Sequence, residues 1–259
     1  MELKIEALSC GYRGSEPVIS DVNLRLTSDD GLVCIIGPNG VGKSTLIKCI
    51  DNLIQPMEGR VLIDDIDVRS MSRRDLAGKI GYVQAMSTTD STSTVFETVS
   101  MGRYNHMKWR MEPQDILMVD RVLEVMGITE LANHPVNQLS AGQQQRVMIA
   151  RGLVQDTDIL ILDEPTSNLD VRAQLFVASL LKNISKVSKK LIIMICHDIN
   201  IASKVSDRIL VLADPGMILA YGPPKEVITK ENIQRTYGVD CDIVEHEGRP
   251  NVMIRSDSI

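Results

Sequence analysis

The sequence LVCIIGPNGVGKSTLIKCI, residues 32–50, places a glycine-rich turn between an apolar run and an amphipathic run. The turn fits the pattern G-x-x-x-x-G-K-[ST], in the order of strand, loop and helix that this pattern requires. In such a loop the backbone amides surround a β-phosphate at the N-terminus of the following helix. The stretch therefore predicts a nucleotide-phosphate site. Its residues are Gly37, Pro38, Asn39, Gly40, Val41, Gly42, Lys43, Ser44 and Thr45.

Two side chains of this loop have predicted contacts of their own. We expect Lys43 to bridge the β- and γ-phosphates of ATP, and the hydroxyl of Ser44 to ligate Mg²⁺. The alternative is a glycine-rich turn that merely precedes a helix. It is disfavoured because the strand, the loop and the helix occur together at this place.

A second run, ILILDEP at residues 159–165, ends in two adjacent carboxylates. Hydrolysis of a nucleotide needs a carboxylate on the metal side and a group that positions water. We expect Asp163, where the apolar strand ends, to face Mg²⁺, and Glu164 to point at the γ-phosphate. Such a pair alone is usually a solvated strand end, but in one chain with the glycine-rich loop it indicates catalysis.

Short apolar runs that end in small or charged residues recur along the chain. Several are apolar at every position, as expected for strands that are covered on both faces. Helical stretches near 43–53, 171–186 and 198–204 separate them, and this alternation predicts an α/β fold with a mostly parallel sheet. The predicted strands lie in residues 32–37, 79–84, 158–164, 190–198 and 207–214.

Between residues 84 and 153 the pattern changes to helical periodicity without a convincing strand. This region begins with a polar loop at 87–94 and a capping box from Thr94 to Glu97. We therefore predict an inserted helical subdomain. After the last predicted strand of the core, the sequence indicates a hairpin, then a helix near 224–237 and a pair of strands.

A second capping box lies in the stretch NQLSAGQQQR, residues 137–146. Ser140 is followed three residues later by Gln143, and an amphipathic run comes next. A capping box needs no glycine, yet Gly142 stands in the first turn, where glycine destabilises a helix. The stretch holds no acid, no histidine and no nucleophilic cysteine, so its own chemistry does not explain this glycine.

Composition limits the classes of function. The chain of 259 residues has a net charge of −6 and a pI of about 5.3, which argues against a nucleic-acid surface as its main function. Its five cysteines are scattered and form no C-x-x-C pair, which favours core thiols in a reducing cytosol. The apolar runs are too short to span a bilayer and no secretory signal is visible, so we expect any membrane role to depend on a partner.

Motifs in a fixed order make the chain resemble the ATP-binding subunit of an ABC transporter over nearly its whole length. They are Tyr12, GPNGVGKST (37–45), Gln84, LSAGQ (139–143), ILILDEP (159–165), SNLD (167–170) and His197. Position alone leaves Tyr12, Gln84 and His197 without a role. Two residues depart from the usual pattern, because glycine is common where Ala141 stands and alanine is common where Asn168 stands.

The resemblance implies a role for each residue that position left unassigned. Tyr12 would stack on the adenine, and Gln84 would contact Mg²⁺ or the attacking water. His197 would hold the γ-phosphate, and Glu164 would be the base that polarises the water. ATP and Mg²⁺ are thus the expected cofactors. The expected metal ligands are Ser44, Gln84 and Asp163.

In this family two ATPase domains pack head to tail. The resemblance implies that Ser140, Gly142 and Gln143 contact the γ-phosphate bound by the other copy, with the helix dipole behind them. That role would explain a glycine in the first helical turn. Ala141 is compatible with it if the φ angle of that residue is negative.

The resemblance also predicts the organisation of the chain as one ABC ATPase domain, residues 1–259, with a P-loop NTPase core and an N-terminal antiparallel β part. Its catalytic core would comprise about 1–85 and 156–222, its inserted helical subdomain about 86–155, and a C-terminal extension 223–259. The expected partners are transmembrane permease subunits, a second copy of the chain and, indirectly, a substrate-binding protein, but no nucleic acid. The protein would lie peripherally on the cytoplasmic face of the cell membrane.

Two segments, ETVSMGRYNH (97–106) and ENIQRTYGVDCDIV (231–244), resemble the subgroup that serves iron–siderophore, haem and cobalamin importers. We therefore predict an importer ATPase for a substrate of this kind. Two alternatives are an importer of another substrate and a soluble ABC ATPase of iron–sulfur cluster assembly. The DNA-repair type is disfavoured because a long coiled-coil insertion is missing, and the translation type because tandem ATPase domains are missing. A regulatory domain without catalysis is disfavoured because Lys43, Asp163, Glu164 and His197 are all present.

Overall fold

The computed structural model describes residues 1–12, 14–84, 92–107, 110–167 and 169–255. The strands are β1 (Glu2–Cys10), β2 (Ile19–Thr27), β3 (Leu32–Ile36), β4 (Glu58–Ile63), β5 (Ile66–Asp67), β6 (Ile80–Val83), β7 (Ile159–Leu162), β8 (Leu191–Ile195), β9 (Arg208–Ala213), β10 (Met217–Gly222), β11 (Cys241–His246) and β12 (Arg249–Ile254). The α-helices are α1 (Lys43–Ile50), α2 (Arg73–Lys79), α3 (Val95–Ser100), α4 (Pro113–Val125), α5 (Ala141–Leu153), α6 (Val171–Ser188), α7 (Ile199–Val205), α8 (Pro224–Val227) and α9 (Lys230–Tyr237).

A six-stranded sheet in the order β10-β9-β3-β8-β7-β6 forms the centre of the molecule. Its strands are parallel except for β10, which pairs antiparallel with β9 at one edge. Every residue of β3, β7 and β8 is buried, as expected for strands covered on both faces. The predicted α/β fold with a mostly parallel sheet is confirmed, and the parallel strands end at one common edge.

Alternate residues of the central strands face two different hydrophobic cores. In β3, Leu32, Cys34 and Ile36 belong to one core, while Val33 and Ile35 belong to the other. The second core also includes residues of helix α1 and of β1, β2 and β4 in the antiparallel sheet β2-β1-β4-β5. The predicted antiparallel N-terminal part is thus confirmed, and it packs against the helix that follows the glycine-rich loop.

The segment with helical periodicity forms helices joined by turns in the part that the structure describes. Within residues 92–107 and 110–154, strand pairing is limited to one isolated bridge between Thr94 and Pro135. The capping box at the start of α3 is present, because the Glu97 amide donates to Thr94 Oγ1 (3.2 Å) and the Thr94 amide donates to Glu97 Oε2 (2.8 Å). Most of the predicted polar loop lies outside the described residues.

Two predicted helix boundaries are wrong. The helix expected over 43–53 ends at Ile50, because Asn52 adopts φ +54°, which a right-handed helix does not allow. The helix expected near 224–237 is divided into α8 and α9. Thr229 stands between them in extended conformation and caps α9 by accepting a hydrogen bond from the Asn232 amide (3.1 Å).

The end of the described chain follows the sequence pattern more closely. Strands β9 and β10 form the predicted hairpin, and β11 and β12 form the predicted pair. All five cysteines are free and buried, as expected for core thiols. Among the described residues, none of the helices is long and apolar enough to cross a membrane.

Candidate nucleotide site

The glycine-rich loop connects β3 to α1 at the common edge of the parallel strands. Its glycines are required by space as well as by backbone conformation. A Cβ on Gly37 would lie 2.3 Å from the backbone oxygen of Leu212, and one on Gly42 would lie 2.6 Å from Cδ1 of Ile19. Gly42 also has φ +106°, and Gly40 has φ +81°. The loop therefore keeps a shape that other residues would not allow, with α1 starting at Lys43.

Lys43 is held inside this loop. Its ammonium donates to the carbonyl oxygens of Gly37 (2.8 Å) and Pro38 (2.7 Å), and the residue is buried. Burial lowers the pKa of Lys43, and the nearby carboxylates of Glu164 and Asp163 oppose that shift. The positive charge is thus fixed at the loop, close to both carboxylates of ILILDEP.

Ser44 and Asp163 lie 119 positions apart in the sequence but are in contact in the fold. The Ser44 hydroxyl donates to Asp163 Oδ1 (2.9 Å), and the Tyr82 hydroxyl reaches Asp163 Oδ2 (3.3 Å). A hydroxyl beside a carboxylate is the oxygen donor set that Mg²⁺ prefers when phosphate oxygens and water supply its other ligands. These residues therefore fit a magnesium ion bound with a nucleotide.

Tyr82 was not among the residues predicted from the sequence. Burial raises the pKa of its phenol, and Asp163 raises it further, so the hydroxyl remains a donor to the carboxylate. The local pattern around Tyr82 is that of an ordinary strand. The contact depends on the pairing of β6 with β7, which places Tyr82 next to Ile161 and so near the end of the neighbouring strand.

Glu164 and His197 also meet at this edge, because β7 and β8 are parallel neighbours. His197 Nε2 lies 2.7 Å from Glu164 Oε1, and both side chains are partly exposed. Glu164 has φ +52°, a left-handed conformation that is unusual for a residue with a side chain. The Glu164 carbonyl accepts from the amide (3.1 Å) and the hydroxyl (2.9 Å) of Ser167, which holds this turn in place.

The other two residues predicted for this site are more open to solvent. Gln84 directly follows β6 and is exposed, while the carbonyl of Val83 before it accepts a hydrogen bond from the Asp163 amide (2.8 Å). Gln84 thus starts from the same edge of the sheet as Asp163. Tyr12 follows β1 and is 54% exposed, so its ring is available for stacking.

The start of α5 forms a different surface. Ser140 is its N-cap and makes the predicted capping box with Gln143, whose Oε1 accepts from the Ser140 amide (2.9 Å). Ala141 is helical, as the sequence argument required. Residue 168, the other departure from the family pattern, lies outside the described residues.

Ser140, Gly142 and Gln143 line a cavity of about 340 Å³. Among the described residues, its lining includes no member of the glycine-rich loop. On the same helix, the guanidinium of Arg146 lies 5.3 Å from the ring centroid of Phe176. The structure thus brings Lys43, Ser44, Asp163, Glu164 and His197 together, and leaves the start of α5 on a surface of its own.

Comparison with known proteins also indicates an ATP-binding protein. The family model described as ABC transporter matches residues 19–167, which is more than half of the chain. An uncharacterized ABC transporter ATP-binding protein of Methanocaldococcus jannaschii is 39% identical over 98% of both chains. The ferric enterobactin transport ATP-binding protein of Escherichia coli is 36% identical and covers 94% of this chain and 89% of its own. Other relatives are named for petrobactin, iron(3+)-hydroxamate and hemin import.

Solved structures agree with this result. A dimeric ATP-binding cassette in a post-hydrolysis state, bound to ADP and Pi, matches with a TM-score of 0.74 and 30% identity. The match covers 85% of this chain and 98% of that one. The phosphate loop and the paired carboxylates also fit an ATP-hydrolysing protein. This chain belongs to the ABC transporter family and is one of its ATP-hydrolysing subunits.

Proposed function

We propose that this ATPase powers an importer of metal chelates of the iron–siderophore, haem or cobalamin kind, from the cytoplasmic face of the membrane. The observation that carries the ATPase part is the meeting of Lys43, Ser44, Asp163, Glu164 and His197 at one sheet edge. The substrate class is supported by relatives named for enterobactin, iron-hydroxamate and hemin transport.

Each residue of the sheet edge has a proposed part in ATP hydrolysis. The loop amides and Lys43 hold the β- and γ-phosphates, and Ser44, Asp163 and Gln84 are the residues that would hold Mg²⁺, which neutralises phosphate charge when bound. Tyr12 stacks on the adenine. These contacts fix the γ-phosphate in front of the end of β7.

Glu164 is the proposed base at that point. Its carboxylate accepts a proton from water as the water oxygen attacks the γ-phosphorus and the bond from that phosphorus to the bridging oxygen breaks. His197 lies 2.7 Å from Glu164 and so orients the carboxylate while it holds the γ-phosphate. The left-handed turn at Glu164 directs this side chain away from the regular path of the strand.

The second half of the site is proposed to come from another copy of the chain. Among the described residues, the lining of the cavity beside Ser140, Gly142 and Gln143 includes none of the chain's own phosphate loop, and α5 offers its N-terminus to an anion there. Two copies packed head to tail would each place this helix start on the γ-phosphate held by the other.

The permease is proposed to dock beside the end of β6. A groove of about 550 Å³ lies beside this strand, and it is lined by residues that follow α1 and by residues of α2 and β6. It includes the apolar Leu53, which is 60% exposed, and Gln155, which follows α5. We assign the catalytic core to about 1–85 and 156–222 and the helical subdomain to about 86–155, so that this groove lies where they join. A substrate-binding protein would act through the permease.

A pair of cysteine variants tests the docking surface. Tyr104 is 78% exposed and lies in the segment 97–106, which reaches the groove where His106 Nε2 is 2.8 Å from the carbonyl oxygen of Gln155. Val187 on α6 is 84% exposed and belongs neither to this segment nor to the groove lining. The five native cysteines are buried, so a thiol-specific crosslinker should react mainly at the introduced position. In membranes that hold the complex, Tyr104→Cys should capture a multi-span protein, and Val187→Cys should not.

The same preparation distinguishes the alternative functions. Purification of the chain with a multi-span permease from detergent-solubilised membranes supports the transporter, whereas soluble co-purification with scaffold proteins would favour iron–sulfur assembly. Uptake of ferric siderophore, haem and cobalamin by cells that carry wild type or Glu164→Gln then identifies the substrate class. Uptake that is equal in both strains for all three compounds would contradict the proposed class.

A further inference from the structure

The carboxylate of Asp163, which is proposed to hold Mg²⁺, accepts a hydrogen bond on each of its two oxygens. The residue is buried, with 4% of its surface exposed. The Ser44 hydroxyl donates to Oδ1 (2.9 Å), and the Tyr82 hydroxyl donates to Oδ2 (3.3 Å). Ser44 is itself a proposed metal ligand, whereas Tyr82 is not. Any effect of Tyr82 on the metal would therefore pass through the carboxylate.

The pairing of β6 with β7 explains how Tyr82 reaches a residue beyond the end of the neighbouring strand. Tyr82 lies opposite Ile161 in the parallel register, and its ring packs against the core to which Ile161 belongs. Ile161 and Asp163 are two positions apart, a spacing at which side chains point to the same face of a sheet. The carbonyl of Val83 also accepts from the Asp163 amide (2.8 Å). Strand β6 thus holds both the backbone and the side chain of Asp163.

Tyr82 is also part of the surface of the chain. It is partly buried and lines the groove of about 550 Å³ that is proposed for the permease, together with Leu53 and Gln155. Among the described residues, the lining of this groove does not include Asp163. Tyr82 therefore connects the groove with a buried carboxylate of the nucleotide site.

We propose that Tyr82 is a positioning residue for the metal, whose hydroxyl fixes the Asp163 carboxylate in the orientation that binds Mg²⁺. This inference rests on the proposed magnesium site of Ser44 and Asp163. A carboxylate that can rotate must be ordered when the ion binds, and that ordering lowers the affinity. A hydrogen bond to a metal-binding carboxylate orders it in advance. Phenylalanine would keep the packing of the ring, so the hydroxyl distinguishes a positioning role from a structural one.

The test measures, on the full chain, how much the metal contributes to ATP binding. The dissociation constant for a fluorescent, non-hydrolysable ATP analogue is determined with saturating Mg²⁺ and again with EDTA. The ratio of the two constants measures the coupling between metal and nucleotide. Ser44→Ala is the reference for loss of the metal site.

The matched control is Tyr221→Phe, which removes the same hydroxyl from the opposite edge of the same sheet. Tyr221 lies in β10, and its ring packs against the same core as the ring of Tyr82. Both variants therefore lose one phenol oxygen from a partly buried ring, but only Tyr82 contacts Asp163 through it. The thermal unfolding midpoint of each variant is measured as well.

Tyr82→Phe should raise the dissociation constant measured with Mg²⁺ by about 3- to 10-fold, the usual effect of losing one hydrogen bond. The constant measured with EDTA should stay at the wild-type value, because the loop amides and Lys43 hold the phosphates without the metal. The Mg²⁺ concentration for half-maximal ATP hydrolysis should rise by a similar factor. Tyr221→Phe should match wild type in all three measurements.

Two results would overturn the inference. One is a wild-type ratio of the two constants in Tyr82→Phe while Ser44→Ala loses the coupling. The other is equal weakening of Tyr82→Phe with Mg²⁺ and with EDTA, which would assign the effect to packing and not to the metal. If Ser44→Ala itself kept the wild-type ratio, the proposed magnesium site would fail, and the inference about Tyr82 would fail with it.

Discussion

The phosphate loop and the start of α5 both contain glycines, but the two regions need them for different reasons. At Gly37 a Cβ would collide with a backbone oxygen at 2.3 Å, and Gly42 adopts φ +106°. At Gly142 the backbone is helical, and a Cβ would meet only Cδ2 of Leu169 at 3.4 Å, an ordinary van der Waals distance. The chain's own fold thus requires the glycines of the loop and does not require Gly142.

The polar side chains of the two regions also differ in whether they contact other members of a site within the same chain. Lys43, Asp163 and Glu164 already contact other members of their site within one chain. Ser140 makes its contacts within its own capping box. The phosphate-loop half can be understood from one chain alone. The chain's own fold gives no reason for the glycine at the start of α5, and the proposed contact with a second copy would supply one.

The largest effect is expected at the proposed base. Glu164→Gln keeps the size of the side chain, but the amide cannot accept the proton of the attacking water, so hydrolysis should slow by about 10²- to 10⁴-fold. ATP would then stay bound between Lys43 of one copy and Ser140 of the other. Light scattering should show a stable dimer with ATP and Mg²⁺ but a monomer with ADP. A variant that hydrolyses ATP at the wild-type rate would exclude Glu164 as the base.

The second-largest effect is expected at the phosphate loop, the half of the site that is complete within one chain. Lys43→Ala removes the ammonium from the loop, and ATP affinity should fall by roughly 10- to 100-fold because a charge-assisted contact to phosphate is lost. Lys48→Ala is the control, since Lys48 lies in the last turn of the same helix. Fluorescent-ATP titration of both variants measures the difference. Equal affinities in the two variants would contradict the assignment of the loop.

Much of this half could be predicted from the sequence, because its parts are short motifs with a local physical meaning. The loop and ILILDEP each follow an apolar strand, and parallel strands bring their ends together. Tyr82 could not be found in this way. It reaches Asp163 only through the pairing of β6 with β7.

The helix boundaries that were wrong have local causes that a periodic pattern hides. Apolar periodicity continues past Ile50, but the backbone turns left-handed at Asn52. It also continues across Thr229, whose hydroxyl caps a new helix instead of continuing the first. Periodicity indicates which face of a helix is buried, and capping residues decide where the helix ends.

Substitutions of Ser140 test the proposed role of the other region, the start of α5. In the Glu164→Gln background, Ser140→Arg should weaken the ATP-dependent dimer at least about tenfold, because a bulky side chain replaces the hydroxyl at the helix start. Ser140→Asp keeps a good N-cap but places a carboxylate against the partner's phosphate, so it should weaken the dimer while α5 stays folded. Ultracentrifugation and circular dichroism measure the two properties separately. A dimer of unchanged strength in both variants would refute the proposed contact in trans.

The smallest effect is the one that separates the two regions most directly. Gly142→Ala should stabilise the isolated chain by up to about 1 kcal/mol, because alanine favours the helix and its Cβ has room. The same change should weaken the ATP-dependent dimer a few-fold, since the Cβ stands where the partner's phosphate would approach. Gly78→Ala in α2 is the matched control, because a Cβ there meets nothing within 4 Å, and it should add stability and leave the dimer unchanged. If Gly142→Ala behaved in the dimer assay as Gly78→Ala does, Gly142 would have no role in trans, and the proposed reason for a glycine in this helix would be wrong.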